Sequence, residues 1–330
     1  MKKKVFLLLM ISILILTGCG KNSEASVLKK IEKKINDSKS YHLTGTLEMM
    51  RNEDSYLYDV DVAYEKDDKF RVSLTNQNNN HNQVILKNGE GVYVLTPSLN
   101  KSFKFQSEWP YNNSQSYLLQ TILKDLKNDE EREFMKDNSG YKFTVKAGYP
   151  NNKDLVKQHI YIDKDFNLKS VEVVDRSDIT QMRMTFEVVD YKSTYDDNYF
   201  DLNNNIKVEE VDTKTSKEME DIIYPMYVPM NTSLSGQDIM DTENGKRVIL
   251  TFDGEKPFML IQENIMASEE LETIPVYGEP LLVTDTIGAL TDTSVNWVSN
   301  SVEYYLISDS LSNEELISVA SSVSLLPIGK

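Results

Sequence analysis

The chain has almost no cysteine, few histidines, little glycine and a deficit of positive charge. Cys19 is the single thiol in 330 residues, so an internal disulfide is excluded and stability has to come from packed cores. The three histidines, His42, His81 and His159, are far apart and none has a second histidine one helical turn away; with no further thiol, no zinc motif is present. Thirteen glycines include no G-x-S-x-G elbow and no glycine-rich phosphate loop. Ser26-Val27-Leu28-Lys29 matches S-x-x-K, but the companion motifs of penicillin-recognising enzymes are missing. Carboxylates are plentiful, yet nothing selects a pair of them, and no catalytic residue is expected. Lys and Arg number 36 against 52 Asp and Glu, a net charge of −16. That sign excludes nucleic-acid binding through a general basic field.

The one long apolar run lies at the start. Lys2, Lys3 and Lys4 precede Val5 to Leu16, interrupted by Ser12, and Thr17-Gly18 lead into Cys19. A charged start, a short apolar core and small residues before a break mark a secretory signal peptide, 1–18; the run is short of the ~20 residues that span a bilayer. Leu16-Thr17-Gly18-Cys19 matches the bacterial lipobox. The Cys19 thiol is therefore expected to carry a diacylglycerol and, as the new N-terminus, an N-acyl chain such as palmitate. No other cofactor and no metal are expected. Cleavage removes Lys2, Lys3 and Lys4, leaving 33 basic against 52 acidic residues, net −19. Bulk charge will not hold such a chain to anionic lipid, so the acyl chains must do so. The expected location is the extracytoplasmic face of the cell membrane.

After a tether, 19–26, Val27, Leu28, Ile31 and Ile35 recur at helical spacing. Lys29, Lys30, Lys33 and Lys34 occupy the other faces, to be solvated or to rest on headgroups. From Tyr41 the period changes to two. Tyr41, Leu43 and Leu47, then Tyr58, Val60, Val62 and Tyr64, then Phe70, Val72 and Leu74 alternate with polar residues. With Asn88-Gly89 and Thr96-Pro97 as turn signals, this reads as an antiparallel meander. It breaks at 114–126, where Ser114 is the expected N-cap and Leu118, Leu119, Ile122, Leu123 and Leu126 form an apolar face. That helix is expected to cover the sheet as a lid; the space beneath it either holds an acyl chain or is filled, and packed interiors are the default. Strands then resume to about 190. Asp163, Asp165 and Asn167 imitate a calcium loop, but Leu168 stands where the turn needs glycine and Val174 where the bidentate glutamate belongs. A hairpin is the better reading.

The domains expected are 27–202, a polar linker at 203–221, and a small α+β domain at 222–330. In the last, "RVILTF" and "KPFMLIQ" flank Asp253-Gly254, and Ser312 with Glu315 makes a capping box before Leu316, Val319, Ala320 and Val323. Trp297 is expected in the core.

The stretches "YHLTGTLEMM", "YDVDVAYEKDDKFRVSL" and above all "GVYVLTPSLNKSFKFQSEWP" resemble the sporulation and germination lipoproteins of endospore-forming Firmicutes, of the YdcC and GerS type. These share the fold of the LolA/LolB lipoprotein carriers. Residues 222–326 resemble a small domain that follows in such exported proteins. The resemblance implies a mainly β, α+β fold: an incomplete antiparallel β-barrel of about eleven strands plugged by helices, with the small domain behind it. It also implies three uses: binding and activating a peptidoglycan amidase of the spore cortex, accepting lipid or lipoprotein acyl chains, or signalling to an anti-sigma factor. A shuttle must leave the membrane, whereas lipid on Cys19 would moor this chain, so a fixed scaffold with a protein partner is the expected role. Trp109 and Tyr111 are its candidate surface contacts.

Overall fold

The structure is a computed structural model that describes residues 22–51, 54–206, 221–243, 245–283 and 286–323. The expected signal peptide and Cys19 lie outside the described residues, as does 207–220 of the expected linker.

Helix α1 (Glu24–Asn36) buries Val27, Ile31 and Ile35. It begins inside the expected tether, with Ser23 as N-cap. Lys30 Nζ sits 4.2 Å over the Phe166 ring and Lys34 Nζ 4.9 Å over Tyr191, so two of its lysines rest on the protein's own aromatic surface. Strands β1 (Ser40–Arg51), β2 (Asp54–Glu65), β3 (Lys69–Asn76), β4 (Asn82–Asn88), β5 (Gly91–Thr96) and β6 (Lys101–Phe105) form the meander. Helix α2 (Leu119–Asn128) follows, then β7 (Glu133–Lys136), β8 (Gly140–Lys146), β9 (Lys157–Asp163), β10 (Leu168–Val174) and β11 (Thr180–Asp190). The short α3 (Leu202–Asn205) crosses the expected boundary at 202/203, and Ile206 after it is buried against Val84, Leu86 and Phe200. That covering of the outer sheet face extends the first unit past the boundary expected.

The second part runs β12 (Thr232–Thr242), β13 (Gly245–Gly254), β14 (Phe258–Asn264), β15 (Glu272–Val276), β16 (Glu279–Val283), β17 (Thr286–Leu290), β18 (Ser294–Ser299), β19 (Val302–Ile307) and helix α4 (Asn313–Ser322). In α4 both bonds of the capping box are made: the Ser312 side chain accepts the Glu315 N–H, and the Glu315 carboxylate accepts the Ser312 N–H.

The large sheet is open, in the order β15-β6-β5-β4-β3-β2-β1-β11-β10-β9-β8-β7. Strands β1 to β11 pair antiparallel throughout, as an incomplete barrel requires, while β15 from the second part adds in parallel to β6. Gly45 is needed where β1 shifts register against β11, because a Cβ there would stand 2.1 Å from the Thr185 carbonyl oxygen. The apolar faces of the strands close on α1 and α2 in one core. The smaller sheet runs β12-β13-β14-β19-β18-β17-β16, and α4 covers its second core.

The two sheets are bound together by specific contacts. Asn100 takes the left-handed conformation (φ 52°) that asparagine tolerates. Its amide donates to the Ser268 carbonyl at 3.1 Å, and its own carbonyl accepts the Glu272 N–H at 3.2 Å, which starts β15. Lys101 and Glu272 pair at 2.6 Å, and the Ser102 and Thr273 hydroxyls meet at 2.7 Å. Pro275 is tolerated in β15 because the strand is an edge.

Candidate functional site

A cavity of about 160 Å³ lies where the two parts meet. Its floor is the concave sheet: Leu47 and Met49 of β1, Leu74 of β3, Ile85 of β4 and Met182 of β11. Trp109 and Tyr117, from the loop before α2, form one wall. Leu281, Leu282, Ile287 and Ile317 of the second part form the opposite wall. Two loops of like composition, Asn113 to Tyr117 and Tyr149 to Asn152, supply a polar rim. Tyr117 and Tyr149 line this space, neither hydroxyl has a hydrogen-bond partner among the described residues, and burial pushes both phenols well above their ordinary range. The site therefore joins an apolar chamber to two unspent hydrogen-bonding groups, the composition of a recognition pocket.

The rim is held by a polar network on α2. The Ser114 hydroxyl donates to an Asp125 carboxylate oxygen at 2.7 Å, and the Gln158 amide donates to the same oxygen at 2.5 Å. Ser114 also accepts the Gly148 N–H at 2.8 Å and donates its own N–H to the Gly148 carbonyl at 2.7 Å. Burial pushes the Asp125 carboxyl up, and the bonds from Ser114 and Gln158 oppose that rise. Occupied in this way, Ser114 is not the N-cap expected of it: the helix begins at Leu119 with Leu118 as N-cap.

The expected lid residues are all placed inside the protein. Leu118, Leu119, Ile122, Leu123 and Leu126 are buried in the main core, and none of them lines the cavity. The chamber sits beside α2, toward the second sheet. Trp109, expected on a contact surface, is 1 % exposed and packs edge-on against Phe70 at 5.8 Å; the apolar floor claims the ring. Tyr111 is exposed, with its hydroxyl donating to Asp68 at 2.6 Å. Trp297 is buried and stacks on Tyr304 at 5.0 Å. The 163–167 loop is a hairpin turn in which Asp163 accepts the N–H groups of Asp165 and Asn167. Among the described residues no cluster of His, Cys, Asp or Glu is arranged to hold a metal, and no helix is long and apolar enough to cross a membrane.

Tyr117, Tyr149, Leu282 and Ile287 were not legible as site residues. The available signal was the pairing of two Tyr/Asn-rich stretches, "YNNSQSY" and "YPNN".

No family model matches the chain. The sporulation protein YdcC of Bacillus subtilis (strain 168) is 36% identical to it over 328 residues, 97% of each chain. Among solved structures, the MucA/MucB complex of Pseudomonas aeruginosa is similar at 11% identity and a TM-score of 0.34, over 91% of this chain and 96% of that one. The complex of the Clostridioides difficile CwlD amidase with the GerS lipoprotein is similar at 17% identity and a TM-score of 0.30, over 54% of this chain and 99% of that one.

Proposed function

The chain belongs to the family of the sporulation protein YdcC, and from that premise we propose that it is a non-enzymatic binding protein of the spore envelope, moored by lipid on Cys19 at the extracytoplasmic membrane face. Its partner is a peptidoglycan amidase of the cortex or a similar wall enzyme. The observation that carries this reading is the size and lining of the cavity between the two parts. At about 160 Å³ it matches one ring or one branched side chain; an apolar cavity of about 150 Å³ takes up benzene. Pockets for whole small-molecule ligands occupy about 300–1,000 Å³. A partner's aromatic or leucine anchor fits this chamber, with Tyr117 and Tyr149 ready to bond its backbone, as anchors at protein interfaces do. The five expected lid residues are buried in the main core and none lines the cavity, so the lipid-acceptor alternative has less support.

Mass spectrometry of the protein purified from sporulating cells tests both halves. The expected result is a diacylglyceryl Cys19 and a folded part that retains no further lipid under native conditions. An unmodified thiol on a freely soluble chain with a lipid held in the fold would overturn the proposal in favour of a travelling carrier.

A further inference from the structure

The four edges of the two sheets are not alike. β7 has four residues and ends on Lys136, while β15 and β16 have five each and contain Pro275 and Pro280. Shortness, lysine and proline are the ordinary protections against unwanted strand pairing. β12 has none of them. It is eleven residues long, contains no lysine or proline, and buries no residue. A bulge interrupts it between Leu234 and Gly236, which leaves Gln237 to Thr242 in regular register with β13.

Its side chains say what would pair there. Leu234 stands opposite Phe252 and Ile239 opposite Val248, both buried. Leu234 and Ile239 thus face the core side of the sheet, yet they are 43% and 52% exposed. The preceding segment covers part of this side, with Ile222, Ile223 and Val228 packed on the second core and the Tyr224 hydroxyl donating to Gln237 at 2.6 Å, but Leu234 and Ile239 stay exposed, as do Met226 and Met230. Asp238, opposite Ile249, lies on the other face. Asp241, opposite Lys246, lies on the same face as Ile239 at the far end of the strand, so Asp238 is the charge on the other face; neither enters an ion pair among the described residues.

We propose that the β12 edge docks an extended segment of a partner protein, with apolar residues on one face and Lys or Arg on the other. This rests on the binding-protein reading and adds a second contact to the cavity. Backbone bonds to the open edge supply affinity and alternate side chains supply specificity. Charge selects the occupant. A second copy would bring its own Asp238 and Asp241 to the same edge on a chain of net −16. Such a copy is repelled where a basic strand is attracted.

The test uses the processed full chain and two synthetic peptides, one alternating Lys with Val and one alternating Glu with Val. Amide exchange at 232–242 is expected to slow by at least about tenfold with the lysine peptide and to stay unchanged with the glutamate peptide. Ile239→Lys is expected to abolish that protection at an unchanged unfolding midpoint, and Asp238→Lys to shift the preference toward the glutamate peptide. Three results overturn the proposal: no added protection by either peptide, protection of the amides that point away from β13 already present in the monomeric free chain, or protection that rises with chain concentration alongside a dimer mass. An amidase that binds through the cavity while both peptides fail removes this inference and leaves the function. Peptide protection without amidase binding does the reverse.

Discussion

The side-chain carbonyl of Gln83 accepts the backbone N–H of Ile287, 204 residues further along the chain. The Thr286 hydroxyl lies 3.1 Å from the same oxygen, and the Gln83 amide donates to the Thr96 hydroxyl at 3.2 Å. Gln83 is 3% exposed, so this bond is made away from water, where an unmet partner is costly. It ties β4 of the large sheet to β17 of the small one. Ile85, two residues along β4, and Ile287 both line the cavity. The chamber therefore depends on the two sheets staying in register.

Gln83→Met keeps the volume and removes the amide, leaving the Ile287 N–H buried without a partner. The expected cost is about 1–3 kcal/mol in urea unfolding, with amide exchange at 286–290 quickening ahead of β1 and β2. An unchanged midpoint would show that the two sheets are held by β15 pairing alone.

Trp109 and Tyr111 are neighbours with opposite duties. Trp109→Ala is expected to cost about 3–5 kcal/mol, as for a fully buried aromatic. Tyr111→Phe is expected to change stability by less than about 1 kcal/mol. Equal effects in chemical denaturation would contradict the burial described here.

Burial raises the Asp125 carboxyl above its ordinary value of 3.8. Between that value and the raised native one, the folded chain holds more protons than the unfolded chain. Its stability contribution is therefore complete at low pH and is lost as pH climbs through the native value. Asp125→Asn cannot titrate. The unfolding free energy of the variant minus that of the natural chain should increase from about pH 4 upward and then level off. A difference that shrinks with rising pH would mean that the bonds from Ser114 and Gln158 outweigh burial.

Ser312→Ala removes one arm of the capping box on α4, whose Ile317 forms part of the cavity wall. A loss of about 0.5–2 kcal/mol is expected in thermal unfolding.

The sequence was most readable where one face of an element is wet and the other dry. β1 to β3 and α4 have that pattern, and their alternation or stripe was visible residue by residue. β17, buried at every position, gives no alternation, and in β12, buried at none, the bulge puts Leu234 and Ile239 on one face at a spacing of five that breaks the alternation. Each is set by its neighbours in the sheet and was missed for that reason. The misplaced start of α2 has a similar origin. Ser114 has the chemistry of an N-cap, but Asp125 and Gly148 take its hydroxyl, and those partners are distant in the chain. The cavity was illegible because its walls come from β1, β4, β16 and α4 together.

The account rests on a protein partner seated in the chamber between the sheets. Titration calorimetry of the processed chain with a purified cortex amidase from the same cells tests it most directly, comparing the natural chain with Leu282→Trp, which fills the cavity. The expected result is binding by the natural chain and at least about tenfold weaker binding by the variant, a difference of about 1.4 kcal/mol, at an unchanged unfolding midpoint. Equal affinity with the chamber filled, or no heat of binding from the natural chain, would contradict it.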